Sequence, residues 1–185
     1  MANTWFSADY HLGHDNIRRY VNRPFKTLDE MNTHLILNHN SRVKKEDTLF
    51  HVGDFCFRNS AGGKKGEGTL HKAEYYQSQL NGNTVYIKGN HDRNNSLKTC
   101  IEKIIIRFGG EQLCLVHNPS HADFNYKLHL CGHVHSAWKF KRMYKDKLYT
   151  DMINVGVDVW NYRPVSWEEI NSEYVKWLKT SNLKK

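Results

Sequence analysis

Thr4-Trp5-Phe6-Ser7-Ala8-Asp9-Tyr10-His11 opens the chain with a segment that alternates enough to form a strand and then ends on a carboxylate and an imidazole two positions apart. Period-two geometry in an extended segment throws residues i and i+2 to the same side, so one strand end can offer two ligands. Comparable ends recur along the sequence. Gly53-Asp54 follows the run Asp47–Val52, and Gly89-Asn90-His91-Asp92 follows Thr84–Lys88. His117 follows Gln112–Val116, and Gly132-His133-Val134-His135 follows Lys127–Cys131. Neighbouring glycines let the backbone turn tightly beneath such side chains. Together the five stretches supply a complete ligand set for two divalent cations.

The 185 residues suit one domain, 1–185, large enough to bury a core without staples. Hydrophobic residues are 39% of the chain and no long apolar run occurs, which excludes a membrane span. Met1-Ala2-Asn3-Thr4-Trp5-Phe6 has no basic region ahead of an apolar one, so a cytoplasmic protein is expected. Cys56, Cys100, Cys114 and Cys131 are scattered without a C-x-x-C pair and read as reduced thiols. Lys and Arg outnumber Asp and Glu by 27 to 19, a net +8 that favours anionic partners such as nucleotides, phosphorylated metabolites or nucleic acid. The alternative is a basic protein with no polyanion partner.

Between the motifs, Asn16–Tyr20 reads as a helical turn. Thr27-Leu28-Asp29-Glu30 reads as a capping box opening a helix to about Asn40, with Leu28, Met31 and Leu35 on one face. Asn59–Gly68 holds four glycines and two lysines and is expected to be a mobile surface loop; it lacks the G-K-[ST] of a phosphate-binding loop. A helix is expected from about Thr69 to Leu80, a hairpin over Ile101–Val116 and a further basic hairpin over Lys139–Asp151. Ser166-Trp167-Glu168-Glu169 carries a second capping box for the last helix, whose stripe is Tyr174, Trp177 and Leu178 and whose last residues are expected to fray. Strands alternating first with helices and then with hairpins fit an α/β sandwich with sites at strand ends.

The motifs D-x-H, G-D, G-N-H-D/E, H and G-H-x-H, in that order from Asp9 to His135, resemble the calcineurin-like metallophosphoesterase superfamily. Three stretches look like a small, single-domain bacterial and phage branch: Ser7-Ala8-Asp9-Tyr10-His11-Leu12-Gly13-His14-Asp15-Asn16-Ile17, Arg23-Pro24-Phe25 and the run from Asn154 to Val165. The resemblance implies two facing mixed β-sheets flanked by α-helices. It also implies two metals, the first on Asp9, His11, Asp54 and His135 and the second on Asp54, Asn90, His117 and His133, with Asp54 as the bridge. Such a pair clamps a phosphoryl oxygen and generates hydroxide near neutral pH. Imidazole, carboxylate and amide donors without thiolate suit Mn²⁺, Fe²⁺ or Zn²⁺, with Mn²⁺ the first choice.

His91 is implied as the general acid for the leaving oxygen, with Asp92 accepting from its other nitrogen. His14 and Asn16 are candidates for meeting a phosphate oxygen or orienting a ligand, with a cap or surface role as the alternative. Arg23, Arg58 and Arg163 are candidate phosphate anchors, because guanidinium forks match phosphate geometry. The chain departs from many superfamily members at His117-Asn118-Pro119, where a glycine and a histidine often follow the ligand; this bears on the pocket wall. The expected activity is hydrolysis of phosphodiesters or phosphomonoesters of nucleotide-like substrates. One alternative is a catalytically silent scaffold. Another is a nucleic-acid processing enzyme using Trp138, Lys139, Phe140, Lys141 and Arg142, a segment that reads in the first place as a charged edge strand.

Overall fold

The computed structural model describes residues 2–57, 71–93 and 96–181. Arg58, the glycine-rich loop 59–68 and the last four residues lie outside the described residues. Two mixed sheets form, as expected. The first holds β1 (Thr4–Ser7), β2 (Thr48–Val52), β3 (Asn83–Ile87) and β9 (Val165–Ser166) in the order β3-β2-β1-β9, with β1, β2 and β3 parallel and β9 antiparallel to β1. The second holds β4 (Lys103–Phe108), β5 (Glu111–Val116), β6 (Leu128–Cys131), β7 (Phe140–Lys145) and β8 (Leu148–Asn154) in the order β4-β5-β6-β8-β7. Here β5, β6 and β8 are parallel, while β4 and β7 are antiparallel edge strands.

The sheets face one another because alternate residues of each are apolar. Phe6, Val52 and Ile87 of the first meet Leu113, Leu115, Leu130 and Ile153 of the second in one buried cluster. The helix α4 (Trp167–Thr180) closes this core with Trp167, Ile170, Tyr174 and Leu178. Its capping box forms as expected: Glu169 N–H donates to Ser166 Oγ and the Glu169 carboxylate accepts from Ser166 N–H. A second cluster gathers Ile17 of α1 (Asp15–Tyr20), Met31 and Leu35 of α2 (Leu28–Arg42) and Tyr76 of α3 (Ala73–Gln77) around Tyr10, Leu12 and Phe55. Thr27 caps α2 through Glu30 N–H, but the Glu30 carboxylate reaches back to Lys26 N–H, one residue before the position a capping box uses. The strand β9 was not foreseen, since two residues carry no periodicity.

This topology gathers the motifs. The parallel strands β1, β2 and β3 of one sheet and β5 and β6 of the other deliver the five stretches from their carboxyl ends, the position where open α/β sheets place their sites.

Candidate metal centre

Asp9, His11 and His135 bring one ligand atom each within 4.8 Å of one another, and Asp54, His117 and His133 do the same. The two groups are joined through a single atom. Asp54 Oδ2 stands 3.5 Å from His11 Nε2 and 3.3 Å from His117 Nε2, while Asp54 Oδ1 accepts the His91 main-chain N–H at 2.9 Å. Asn90 Oδ1 completes the second group, 3.0 Å from His117 Nε2 and 2.8 Å from His133 Nδ1.

These separations suit a shared cation. Nitrogen and oxygen donors bound at about 2.0–2.2 Å to one ion stand roughly 3.0–3.5 Å apart in octahedral or tetrahedral arrangements. His11 Nε2 is buried with no hydrogen-bond partner, a costly state for an imidazole nitrogen unless it faces an ion. Two further rings have their tautomers set by groups that only accept. His117 Nδ1 lies 2.9 Å from the Val52 carbonyl and His135 Nδ1 lies 2.9 Å from Asp158 Oδ2. Each therefore carries its proton on Nδ1 and leaves the Nε2 lone pair for a ligand bond.

The electrostatics follow from burial and this crowding. Burial pushes the Asp9 carboxyl up to about 6 against the pull of His117 and His135. For Asp54 burial also raises the value, but hydrogen bonding to His117 and the nearby His11 and His91 hold it well below the ordinary carboxylate range. Burial depresses His117, yet Asp54 and Asp9 outweigh it and lift this ring to about 9. His14 is driven down to about 4, first by burial and then by the charges of His91 and Arg23.

The route by which each motif delivers two side chains differs from the expectation. Asp9, His11, His133 and His135 are not extended: their φ values are 58°, 50°, 72° and 48°, in the left-handed region. The ladders stop at Ser7 and Cys131, and the chain then winds through left-handed residues that bring both side chains inward. Gly53 and Gly89 make room for this. A Cβ on Gly53, at φ +87°, would stand 2.3 Å from His117 Nδ1, and one on Gly89 would stand 2.2 Å from Asp54 Oδ1.

His91 and His14 join the centre from the side of His11. The His91 ring is 4.8 Å from that of His11 and 5.4 Å from that of His14, centroid to centroid. His14 Nδ1 lies 3.4 Å from His11 Nδ1, and its ring stacks on Phe57 at 4.1 Å. Asn16 sits half-buried on α1.

Asp92 also has a structural task. Its Oδ2 accepts from Asp54 N–H at 2.8 Å and Gly89 N–H at 2.9 Å, and its Oδ1 from Phe55 N–H at 3.1 Å. It thus clamps the second motif to the third. Two arginines are corrected. Arg23 is fully buried: it forks onto both Asp158 oxygens at 2.8 and 3.0 Å and donates to the Asp9 and Tyr10 carbonyls, so its guanidinium is engaged within the fold and is not a phosphate anchor. Arg163 donates to Glu169 Oε1 at 3.2 Å beside the cap of α4, where Arg42 holds the same carboxylate. Arg58 lies outside the described residues. The segment from Trp138 to Arg142 leads into the edge strand β7. Lys139 Nζ lies 3.9 Å over the Trp160 ring and bonds Glu173, and Arg142 forks onto Asp151, so these two cations are engaged within the fold, while Lys141 is exposed, 6.0 Å from the Trp138 ring centroid.

One functional candidate was missed. Asp158 meets His135 across 23 positions and Arg23 across 135, and no spacing in the sequence announces either contact.

No family model matches the chain. The uncharacterized protein MJ1445 of Methanocaldococcus jannaschii is 34% identical over 176 residues, 92% of this chain and 90% of that one. The Gene 66 protein of Mycobacterium phage L5 is 26% identical over 205 aligned positions, covering 92% of this chain and 93% of its own. Among solved structures, the protein of unknown function AQ665 from Aquifex aeolicus superposes with a TM-score of 0.65 at 23% identity, over 93% of this chain and 99% of that one; this shows a shared fold. Identity at the level of MJ1445 over nine-tenths of both sequences makes this chain and MJ1445 members of one family.

Proposed function

We propose that the chain is a dinuclear metal-dependent phosphoesterase that hydrolyses phosphodiester or phosphomonoester bonds of nucleotide-like substrates, with Mn²⁺ as the first choice of metal. The observation that carries this is Asp54 Oδ2, one oxygen facing the donors of both groups at 3.5 and 3.3 Å. Asp9, His11, Asp54 and His135 would hold the first ion, and Asp54, Asn90, His117 and His133 the second. Bound there, the ions supply Lewis acidity toward phosphoryl oxygens and an activated water.

The remaining steps belong to the chain's own side chains. His91, half-buried and fixed through its main-chain N–H on Asp54, is the group that gives a proton to the leaving oxygen. With a ligand bond at His11 Nε2, the proton of that ring sits on Nδ1 and points at His14 Nδ1, which leaves His14 Nε2–H as a second donor beside His91. The net charge of +8 favours an anionic substrate. All seven proposed ligands and His91 meet in one place, which favours a working centre over a silent scaffold.

The test is metal-free protein titrated with Mn²⁺ and assayed on bis-p-nitrophenyl phosphate, p-nitrophenyl phosphate, cyclic nucleotides and short oligonucleotides. Two ions per chain are expected, with hydrolysis appearing as they bind. Asp54→Ala should lose both ions, whereas Asp9→Ala and His135→Ala should each lose one. Full activity without metal, or an Asp54→Ala protein that keeps its ions and rate, overturns the proposal.

A further inference from the structure

Beneath the centre, one buried ion pair touches both strand ends that deliver the first group of ligands. Arg23 and Asp158 have side-chain exposures of 0% and 2% and are joined by two parallel hydrogen bonds. Besides a bond from Arg23 Nη1 to Met31 Sδ at 3.5 Å, three further bonds fan out from that pair toward the strand ends. Asp158 Oδ2 accepts the His135 Nδ1 proton at 2.9 Å, Arg23 Nη2 donates to the Asp9 carbonyl at 2.6 Å, and Arg23 Nη1 donates to the Tyr10 carbonyl at 3.0 Å. Arg23 lies between α1 and α2 and Asp158 just past β8, so neither belongs to the five motifs.

With His135 among the proposed ligands, the arrangement suits a cation on the far side of the ring. A carboxylate on Nδ1–H fixes the tautomer, aims Nε2 and raises its basicity, which tightens a ligand bond. A lone buried carboxylate would be costly, and the Arg23 fork offsets that cost while pinning the main chain of the first motif. Asp9, His11 and His135 are thereby held at one mutual geometry before any ion arrives.

From this geometry we infer that Asp158 and Arg23 are positioning residues for the first metal and not for the second. The inference rests on the two-metal reading above. The second group has other supports: the Val52 carbonyl orients His117, and Asp92 holds the Asp54 turn.

The experiment measures Mn²⁺ affinity of metal-free protein by calorimetry in a His133→Ala background, where the second site is removed and the first is observed alone. Deleting the pair as Asp158→Ala with Arg23→Met avoids an orphaned charge. This should weaken first-site binding about 10- to 100-fold, the usual cost of losing such an outer partner. Asp158→Asn keeps an acceptor for Nδ1–H without the charge and should fall between. In an otherwise wild-type chain the second site should keep its affinity. The control is Arg142→Met with Asp151→Ala, a second buried pair, far from the five motifs, that also binds the Tyr174 hydroxyl. It should lower the melting temperature and leave Mn²⁺ affinity unchanged.

Affinity within threefold of the parent in both Asp158 variants overturns the inference, as does an equal loss in the Arg142 control. If the pair-deleted protein does not fold, Asp158→Asn alone decides between the same outcomes. A wild-type chain that takes up one ion instead of two counts against the two-metal reading, and the His133→Ala series still judges the role of Asp158.

Discussion

Replacing Asp92 by Asn separates two ideas of what this residue does. If its task were to tune His91, the substitution would slow turnover mildly and leave the fold alone. The structure gives it three main-chain donors: Asp54 and Gly89 on Oδ2 and Phe55 on Oδ1. An Asn can place its one oxygen toward the first two, and its NH₂ then confronts Phe55 N–H. One hydrogen bond to a charged acceptor is lost, worth about 1.5–3 kcal/mol, and two others fall from charged to neutral strength, about 1 kcal/mol each. The total is about 3–5 kcal/mol, or roughly 10–15 °C in melting temperature for a chain of this size. The assay is urea unfolding of both proteins without metal, which keeps ion binding out of the comparison. A variant within about 1 kcal/mol of the parent would refute the clamp. The clamp also holds Asp54, so metal affinity should fall with stability and not independently of it.

Gly89→Ala tests the close approach without backbone strain. Its Cβ would stand 2.2 Å from Asp54 Oδ1 and 2.3 Å from the Asp54 main-chain nitrogen, where ordinary contact begins at 3.4 Å, so both the carboxylate and the main chain of the second motif must retreat by about 1 Å and hydrolysis should fall ~10²-fold; a rate within twofold of the parent would contradict this. His91→Ala should keep both ions and slow alkyl or nucleoside esters by ~10²- to 10⁴-fold while sparing p-nitrophenyl esters, whose leaving group barely needs a proton. Equal losses on both would point to phosphate positioning instead. His129, buried away from the five motifs, accepts Asp123 N–H on Nε2 and bonds Thr150 through Nδ1, and burial takes it from 6.5 down to about 4. The unfolded chain therefore binds the extra proton between those values, so this contribution is present above pH 6.5 and is lost as pH falls toward 4, by up to about 3 kcal/mol. His129→Gln should flatten the pH dependence of urea unfolding over that window, and an unchanged slope would exclude His129 as its source.

The parts of the centre legible in the sequence are those whose chemistry is local. Asp9, His11, Asp54, Asn90, His117, His133 and His135 announce themselves as metal-binding types at the ends of apolar runs, and all seven meet between the sheets. What escaped depends on contacts between distant segments. Arg23 looked like a free guanidinium until a carboxylate 135 positions away was seen to occupy it. Arg163 likewise belongs with Glu169 and Arg42 at the cap of α4. Asp92 was assigned by its neighbour in sequence, whereas its oxygens answer to main-chain donors of another motif. Local pattern sets which groups a turn offers; which of them remain free for a ligand is settled by partners that only the fold brings near.

The extended geometry assumed for Asp-x-His and His-x-His points to a further principle of the site. Asp9, His11, Asp54, His133 and His135 all adopt left-handed backbone angles, each costing about 1–3 kcal/mol for a residue with a Cβ. Such angles persist only where surrounding bonds over-determine them. Here the two parallel strands keep pairing past their regular ends, with Asp9 N–H on the Gly53 carbonyl, His11 N–H on the Asp54 carbonyl and Leu12 N–H on the Phe55 carbonyl, each at 3.0–3.1 Å. The Asp9 carboxylate accepts His133 N–H with both oxygens at 2.9 and 3.0 Å, and Asn154 Nδ2 holds the His135 carbonyl at 2.7 Å. A pleated strand would have carried Asp9 and His11 on one side at almost 7 Å spacing along the chain, with their side chains parallel. The left-handed residues turn the chain instead, and the strain they cost is what aims neighbouring side chains of one motif toward a single point.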